Sequence, residues 1–125
     1  MASAAPRTMA KRTLTIVIPA YNAEATLGDC LAAIAASERQ PDELILYDDG
    51  STDGTGDMAR AAGAVVLRND GPPRGPAVGR NAGVAIAKSE LIIFVDADVS
   101  IHPTALDRLE AAFVYDPKIS ADFGS

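Results

Sequence analysis

Apolar residues fall into short dense runs, and the segments between them carry apolar positions at helical spacing. Thr13 to Ile18 (TLTIVI) is rich in β-branched residues and bounded by Pro19, which predicts a first strand. Leu27, Leu31 and Ile34 predict a helix within Glu24 to Ser37, closed by Pro41. Glu43 to Tyr47 (ELILY) predicts a second strand. Asp53 to Ala62 predicts a short helix with Gly63 at its C-terminal cap, and Ala64 to Arg68 (AVVLR) a third strand. Asn69 to Pro76 (NDGPPRGP) is the richest Pro/Gly stretch and predicts a loop. Ala77 to Lys88 follows as a helix loosened by Gly79 and Gly83. Leu91 to Val95 (LIIFV) is a continuous apolar run, as in a strand buried on both faces. Pro103 opens a helix whose apolar face is Leu106, Leu109, Phe113 and Val114, and Ile119 to Phe123 begins a fifth strand.

This alternation predicts an α/β layer fold with a mostly parallel sheet. Such sheets bind ligands beyond the carboxyl ends of their strands. Three segments lie there: Pro19 to Asn22 (PAYN), Asp48 to Thr55 (DDGSTDGT) and Asp96 to Asp98 (DAD). All three are expected on one rim.

Composition narrows the picture. The 125 residues are 48% hydrophobic and 22% charged, which is the balance of one globular domain, although 24 of them are alanines. A net charge of −6 argues against a general nucleic-acid binder, and the single cysteine, Cys30, excludes a disulfide framework and a cysteine-rich zinc site. Met1 to Arg12 is small, polar and basic, and it reads as a disordered tail rather than a secretory signal. No apolar run approaches the roughly 20 residues that span a bilayer.

At the rim, Asp96 and Asp98 flank Ala97 directly after the most apolar strand. Hard cations such as Mg²⁺ and Mn²⁺ take one or two carboxylates together with phosphate and water oxygens; the alternative is a pair of turn acids. Asp48 and Asp49 are adjacent like charges, so one can brace the Gly50-Ser51-Thr52 turn while the other faces ligand. Asp53 reads as a cap for the short helix. Arg80 could meet a nucleobase carbonyl or a phosphate oxygen, or stand as a surface arginine. Tyr21 could stack on a planar ring or simply pack. Cys30 and His102 read as structural, the former in the core and the latter ahead of Pro103.

The order TIVIPAYNAEATL, ELILYDDGSTDGT, RGPAVGRNAGVAIAKSELIIFVDADV resembles the N-terminal half of family 2 glycosyltransferases, from about Leu14 onward. The resemblance implies a Rossmann-like, three-layer GT-A fold and a nucleotide-diphosphate sugar as donor, with UDP-sugar the first expectation. It implies that Pro19, Ala20 and Tyr21 line the base and ribose pocket and that Asp49 accepts from the ring N–H. Arg80 would lie near the base or diphosphate, and Asp96 and Ala97 near the ribose or metal shell. Asp98 would bind Mg²⁺ or Mn²⁺, and Glu24 matches a commonly acidic position near the nucleotide.

In that family the general base, an aspartate, lies well downstream of the DxD segment, so it is expected beyond Ser125. Asp107, Asp116 and Asp122 lack its context. The resemblance therefore implies a donor-binding half of an inverting, metal-dependent enzyme, apart from its catalytic half. The alternative is a non-catalytic truncated product, or a subunit that needs a partner chain. A bare sheet edge is an expected surface for self-association. A cytoplasmic location is expected, at the inner face of a membrane through regions outside this chain. Other nucleotide folds fit less well. A dinucleotide dehydrogenase or a sugar nucleotidyltransferase needs a Gly-rich loop after the first strand, which PAYNAEA is not. Receiver domains and haloacid-dehalogenase-type phosphatases carry their acids after the first strand, not the second or fourth.

Overall fold

The computed structural model describes residues 12–115 and 121–123. In chain order the elements are β1 (Leu14–Ala20), α1 (Glu24–Ala35), β2 (Glu43–Asp48), α2 (Thr55–Ala61), β3 (Val65–Arg68), α3 (Pro76–Ile86), β4 (Leu91–Val95), α4 (Ala105–Tyr115) and β5 (Ala121–Phe123). The strands form one sheet in the order β3-β2-β1-β4-β5, and all four pairings are parallel. The expected α/β layer architecture is therefore the observed one.

β1 lies at the centre and all seven of its residues are buried, which fits its β-branched, uncharged sequence. Its alternate residues serve opposite faces. Leu14, Ile16, Ile18 and Ala20 join Leu27, Cys30 and Ile34 of α1, Ala59 of α2, Leu91, Ile93 and Val95 of β4 and Leu106 of α4 in one core. Each fully buried Leu or Ile there contributes about 1.5–3 kcal/mol against exposure.

Val17 faces the other layer, which is α3. That helix lies close to β1 because Gly79 and Gly83, one turn apart, present no side chain to the sheet: a Cβ at Gly83 would stand 2.4 Å from Val17 Cγ1. The two glycines that seemed to loosen α3 are what seats it.

The differences from expectation lie at element ends. β1 continues through Pro19 to Ala20 instead of stopping before the proline. Asp49 N–H donates to the Ala20 carbonyl, so Ala20 bonds on the β2 side and alternation turns Pro19 toward β4. Pairing with β4 ends at Val17–Phe94, so the missing N–H of Pro19 costs the ladder nothing. α1 ends at Ala35, before Ser37; α2 starts at Thr55, after Asp53; α3 runs from Pro76 to Ile86 and not from Ala77 to Lys88. α4 starts at Ala105, with Pro103 and Thr104 in the preceding turn, where exposed His102 accepts the Thr104 N–H. Gly63 follows α2 with a φ of 89°, as its capping role requires.

The expected tail falls outside the described residues except for Arg12, whose N–H donates to Glu110 and whose carbonyl accepts from Arg39. Ile119 and Ser120 lie outside them too, as do the side chains of Phe113 and Val114. No described helix is long and apolar enough to cross a membrane.

Candidate functional site

The strand order reverses direction between β1 and β4, so their carboxyl ends diverge into a crevice where open α/β sheets take ligands. The three segments singled out in the sequence meet at this end, and they are tied together by their own side chains. Asn22 takes the left-handed conformation at φ 46°, which asparagine tolerates better than most residues. From there its N–H donates to Ser51 Oγ at 2.8 Å, and its Oδ1 accepts the Thr52 N–H at 2.9 Å. The Ala23 N–H donates to Thr55 Oγ1 at 2.9 Å.

Glu24 belongs to the same seam. Its carboxylate accepts the Gly54 N–H at 2.6 Å, while its own N–H donates to Asp53 at 3.1 Å. Asp53 also accepts from the Thr55 N–H and hydroxyl. One carboxylate thus serves the first turns of both α1 and α2, although the N-cap residue of α2 is Gly54. The Thr55 hydroxyl is the leading cause holding the Asp53 carboxyl below its ordinary pKa.

Asp48 and Asp49 are both buried, with 1% and 5% exposure. Asp48 accepts the Ser51 N–H at 2.8 Å and pairs with Arg68 at 2.7 Å. Asp49 points toward the Pro/Gly loop. Its carboxylate accepts from Asn69 Nδ2 at 2.9 Å, from the Arg74 N–H at 2.9 and 3.0 Å, and from the Gly75 N–H at 2.8 Å. Burial by itself would raise its pKa, but those donors outweigh it and hold the carboxyl below the usual value. Both acids therefore brace loops, and Asp49 in addition lines the pocket that its loop encloses. Gly50 allows this close folding: it has a φ of 92°, and a Cβ there would lie 3.0 Å from the Gly71 carbonyl oxygen.

Asp49 holds the loop so that it faces the end of β1 across a pocket of about 270 Å³, lined by Pro19, Ala20, Tyr21, Asp49, Pro73, Gly75 and Pro76. The lining is largely apolar, with one carboxylate among it, and Tyr21 is 49% exposed. A pocket of this volume and lining suits a planar ring that carries an N–H.

The Asp96–Asp98 turn stands at the end of β4, at the adjacent part of the rim. Ala97 is buried in the core, Asp96 is half-buried and Asp98 is exposed. Arg80 Nη2 lies 3.4 Å from Asp96 Oδ1, and its guanidinium stands 5.9 Å from the centre of the Phe94 ring. Arg80 is thereby placed beside the acid turn and does not line the ring-sized pocket. Behind the turn Cys30 is fully buried; that burial first, and then the charges of Asp98 and Asp96, push its thiol up to about 11. Among the described residues, no three His, Cys, Asp or Glu side chains converge well enough to hold a metal alone.

Of the residues named from the sequence, Pro19, Ala20, Tyr21 and Asp49 share the pocket; Arg80, Asp96, Ala97 and Asp98 gather at the β4 turn; Glu24 is committed to Gly54. Asn22, Ser51, Asn69 and Gly75, which organise the rim, carried a weaker signal. Asn22 and Gly75 are residue types that accept positive φ, but their partners lie in other loops.

Known proteins resemble this chain in sequence and in fold. The family model described as Glycosyl transferase family 2 matches residues 15–123. The poly(ribitol-phosphate) beta-glucosyltransferase of Bacillus spizizenii is 35% identical over 102 residues, 76% of this chain and 16% of that protein. The structure of S. aureus TarS 1-349 in complex with UDP-GlcNAc superposes with a TM-score of 0.72 at 28% identity, covering 83% of this chain and 31% of that one. Glucosyl-3-phosphoglycerate synthase from Mycobacterium tuberculosis in complex with UDP superposes with a TM-score of 0.66 at 31% identity, covering 86% of this chain and 42% of that one. The chain spans 16 to 33% of the length of the first curated relatives it matches. The parallel sheet is that of the GT-A enzymes, and this chain belongs to glycosyl transferase family 2.

Proposed function

We propose that the rim binds the nucleoside diphosphate of a UDP-sugar and that the chain supplies the donor-binding part of an inverting glycosyltransferase. The observation that carries this reading is the pocket itself. A loop anchored on Asp49 faces Pro19, Ala20 and Tyr21 across a ring-sized gap, next to the acid turn at the sheet's switch point. In this reading Tyr21 covers one face of the uracil ring, an interaction worth roughly 1–3 kcal/mol for a stacked base. Asp49 accepts the ring N–H through a lone pair it now shares with the loop. Arg80, beside Asp96, orients the diphosphate. Solved relatives carrying UDP-GlcNAc and UDP support the choice of donor class.

Asp96 and Asp98 fit a Mg²⁺ or Mn²⁺ ion as two carboxylates that need further oxygens, and a diphosphate brings those oxygens. Exposed Asp98 would hold the ion, with Asp96 beside it. When bound, such an ion neutralises charge on the leaving diphosphate as a Lewis acid. The chain's own part is to hold the donor still, exclude water from the ring slot and present the anomeric bond to an acceptor.

Equilibrium dialysis with UDP and with uridine tests the assignment. UDP is expected to bind at least tenfold more tightly than uridine in Mn²⁺, since one charge-assisted contact accounts for about that factor. Equal affinity would remove the diphosphate from the site, and no uptake of either would overturn the reading.

A further inference from the structure

Thr26 and Cys30 stand one helical turn apart on α1 and both face the acid turn after β4. The Thr26 hydroxyl donates to the Ala97 carbonyl at 3.1 Å. The Cys30 thiol lies 3.7 Å from the carbonyl oxygen of Asp96, in reach for a sulfur donor. A threonine within a helix commonly turns its hydroxyl back on its own carbonyls, and Ala23 O is available at 3.4 Å. One hydroxyl proton serves one acceptor well, and here the nearer acceptor belongs to another element. The turn also carries its own bond, from the Val99 N–H to Asp96 O at 3.0 Å. Two consecutive carbonyls are thus drawn back against α1, while Ala97 is buried between them and the Asp98 side chain projects into solvent.

We propose that Thr26, seconded by Cys30, is a positioning residue for the donor site: it clasps the backbone of the Asp96–Asp98 turn against α1 so that the carboxylates are presented to the diphosphate and its cation at fixed separation. The proposal rests on the donor-binding reading above and adds to it a residue that touches neither nucleotide nor metal. Two neighbouring carboxylates repel each other, and a turn held only by its ends can relieve that repulsion by splaying. Tying its carbonyls removes that freedom before ligand arrives, which is how supporting bonds sharpen a site.

Thr26→Val removes the donor and keeps the branched shape; Thr26→Ser restores the donor. Two readouts separate the clasp from the donor assignment. In the protein without nucleotide, amide hydrogen exchange at Val99 is expected to accelerate in Thr26→Val, with β1 and β2 amides unchanged. In calorimetry with saturating Mn²⁺, Thr26→Val is expected to weaken UDP binding about fivefold, the scale of one neutral hydrogen bond, and Thr26→Ser to return within about twofold. The clasp is overturned by wild-type exchange at Val99, by wild-type UDP affinity in Thr26→Val, or by Thr26→Ser binding no better than Thr26→Val. Uniform acceleration across the sheet also overturns it, since that marks a merely structural threonine. If the unsubstituted protein binds no UDP, the donor reading falls, while the exchange readout still decides whether the turn is clasped.

Discussion

Asp48 and Asp49 close an apolar strand at one point of the rim, and Asp96 and Asp98 close another two strands away across the sheet. The first pair is buried, and its carboxylates are taken up by Ser51, Arg68, Asn69, Arg74 and Gly75. The second pair ranges from half-buried to exposed, and α1 holds its backbone by the carbonyls. An acid at the carboxyl end of a strand is therefore not by position alone a group for the diphosphate and its cation. Its fate depends on whether the chain's own N–H donors can reach it. Here β2 ends against loops that do reach, and their reward is a shaped pocket. β4 ends in a tight turn whose donors point elsewhere, and its outermost carboxylate is left to solvent.

Substitutions can break that contrast, and the largest effect is expected at Asp48. Asp48→Ala leaves the buried Ser51 N–H without its acceptor, at a cost of about 3 kcal/mol in denaturant unfolding. Asp49→Ala is expected to cost about 2 kcal/mol, because water can reach part of the loop it releases; UDP affinity should fall with it as the pocket wall loosens.

Acid should act through the same carboxylate. The pKa of Asp49 is lowered by folding, so the stability it contributes is complete above the unfolded value of about 3.9 and is lost as pH falls through the lower folded value. Protection of the Arg74 and Gly75 amides, measured against the intrinsic exchange rate at each pH, should therefore hold at pH 5 and fall only below about pH 4; loss of protection near neutrality would break the assignment. Asp98→Ala is expected to shift stability by less than about 0.5 kcal/mol, as an exposed acid outside any brace should. A loss comparable to that of Asp48→Ala would show that the two pairs do not differ.

The strands and the convergence of three segments on one rim were legible because apolar runs, β-branched residues and Pro/Gly punctuation are local signals. Helix and strand ends were less so. Pro19 continues β1 because the neighbouring ladder has already ended, a fact about β4 and not about PAYN. The fate of the acids was hidden for a related reason. Asp49 finds its donors at Asn69, Arg74 and Gly75, 20 to 26 positions away, and nothing local to DDGS points to them. The bond from the Gly54 N–H to Glu24 was hidden likewise, since it arises only because α1 and α2 begin side by side. The glycines of α3 were read as weak points in a helix; only the sheet beneath them, with Val17 and Tyr47 at contact, reveals their purpose.

Calorimetric titration of the protein with UDP, with and without Mn²⁺, tests most directly the claim that the exposed acid turn, and not the buried pair, meets the diphosphate and its cation. The account predicts binding that needs the metal and is lost in Asp98→Ala, while the variant keeps its fold. Metal-independent binding of equal strength in both proteins would contradict it.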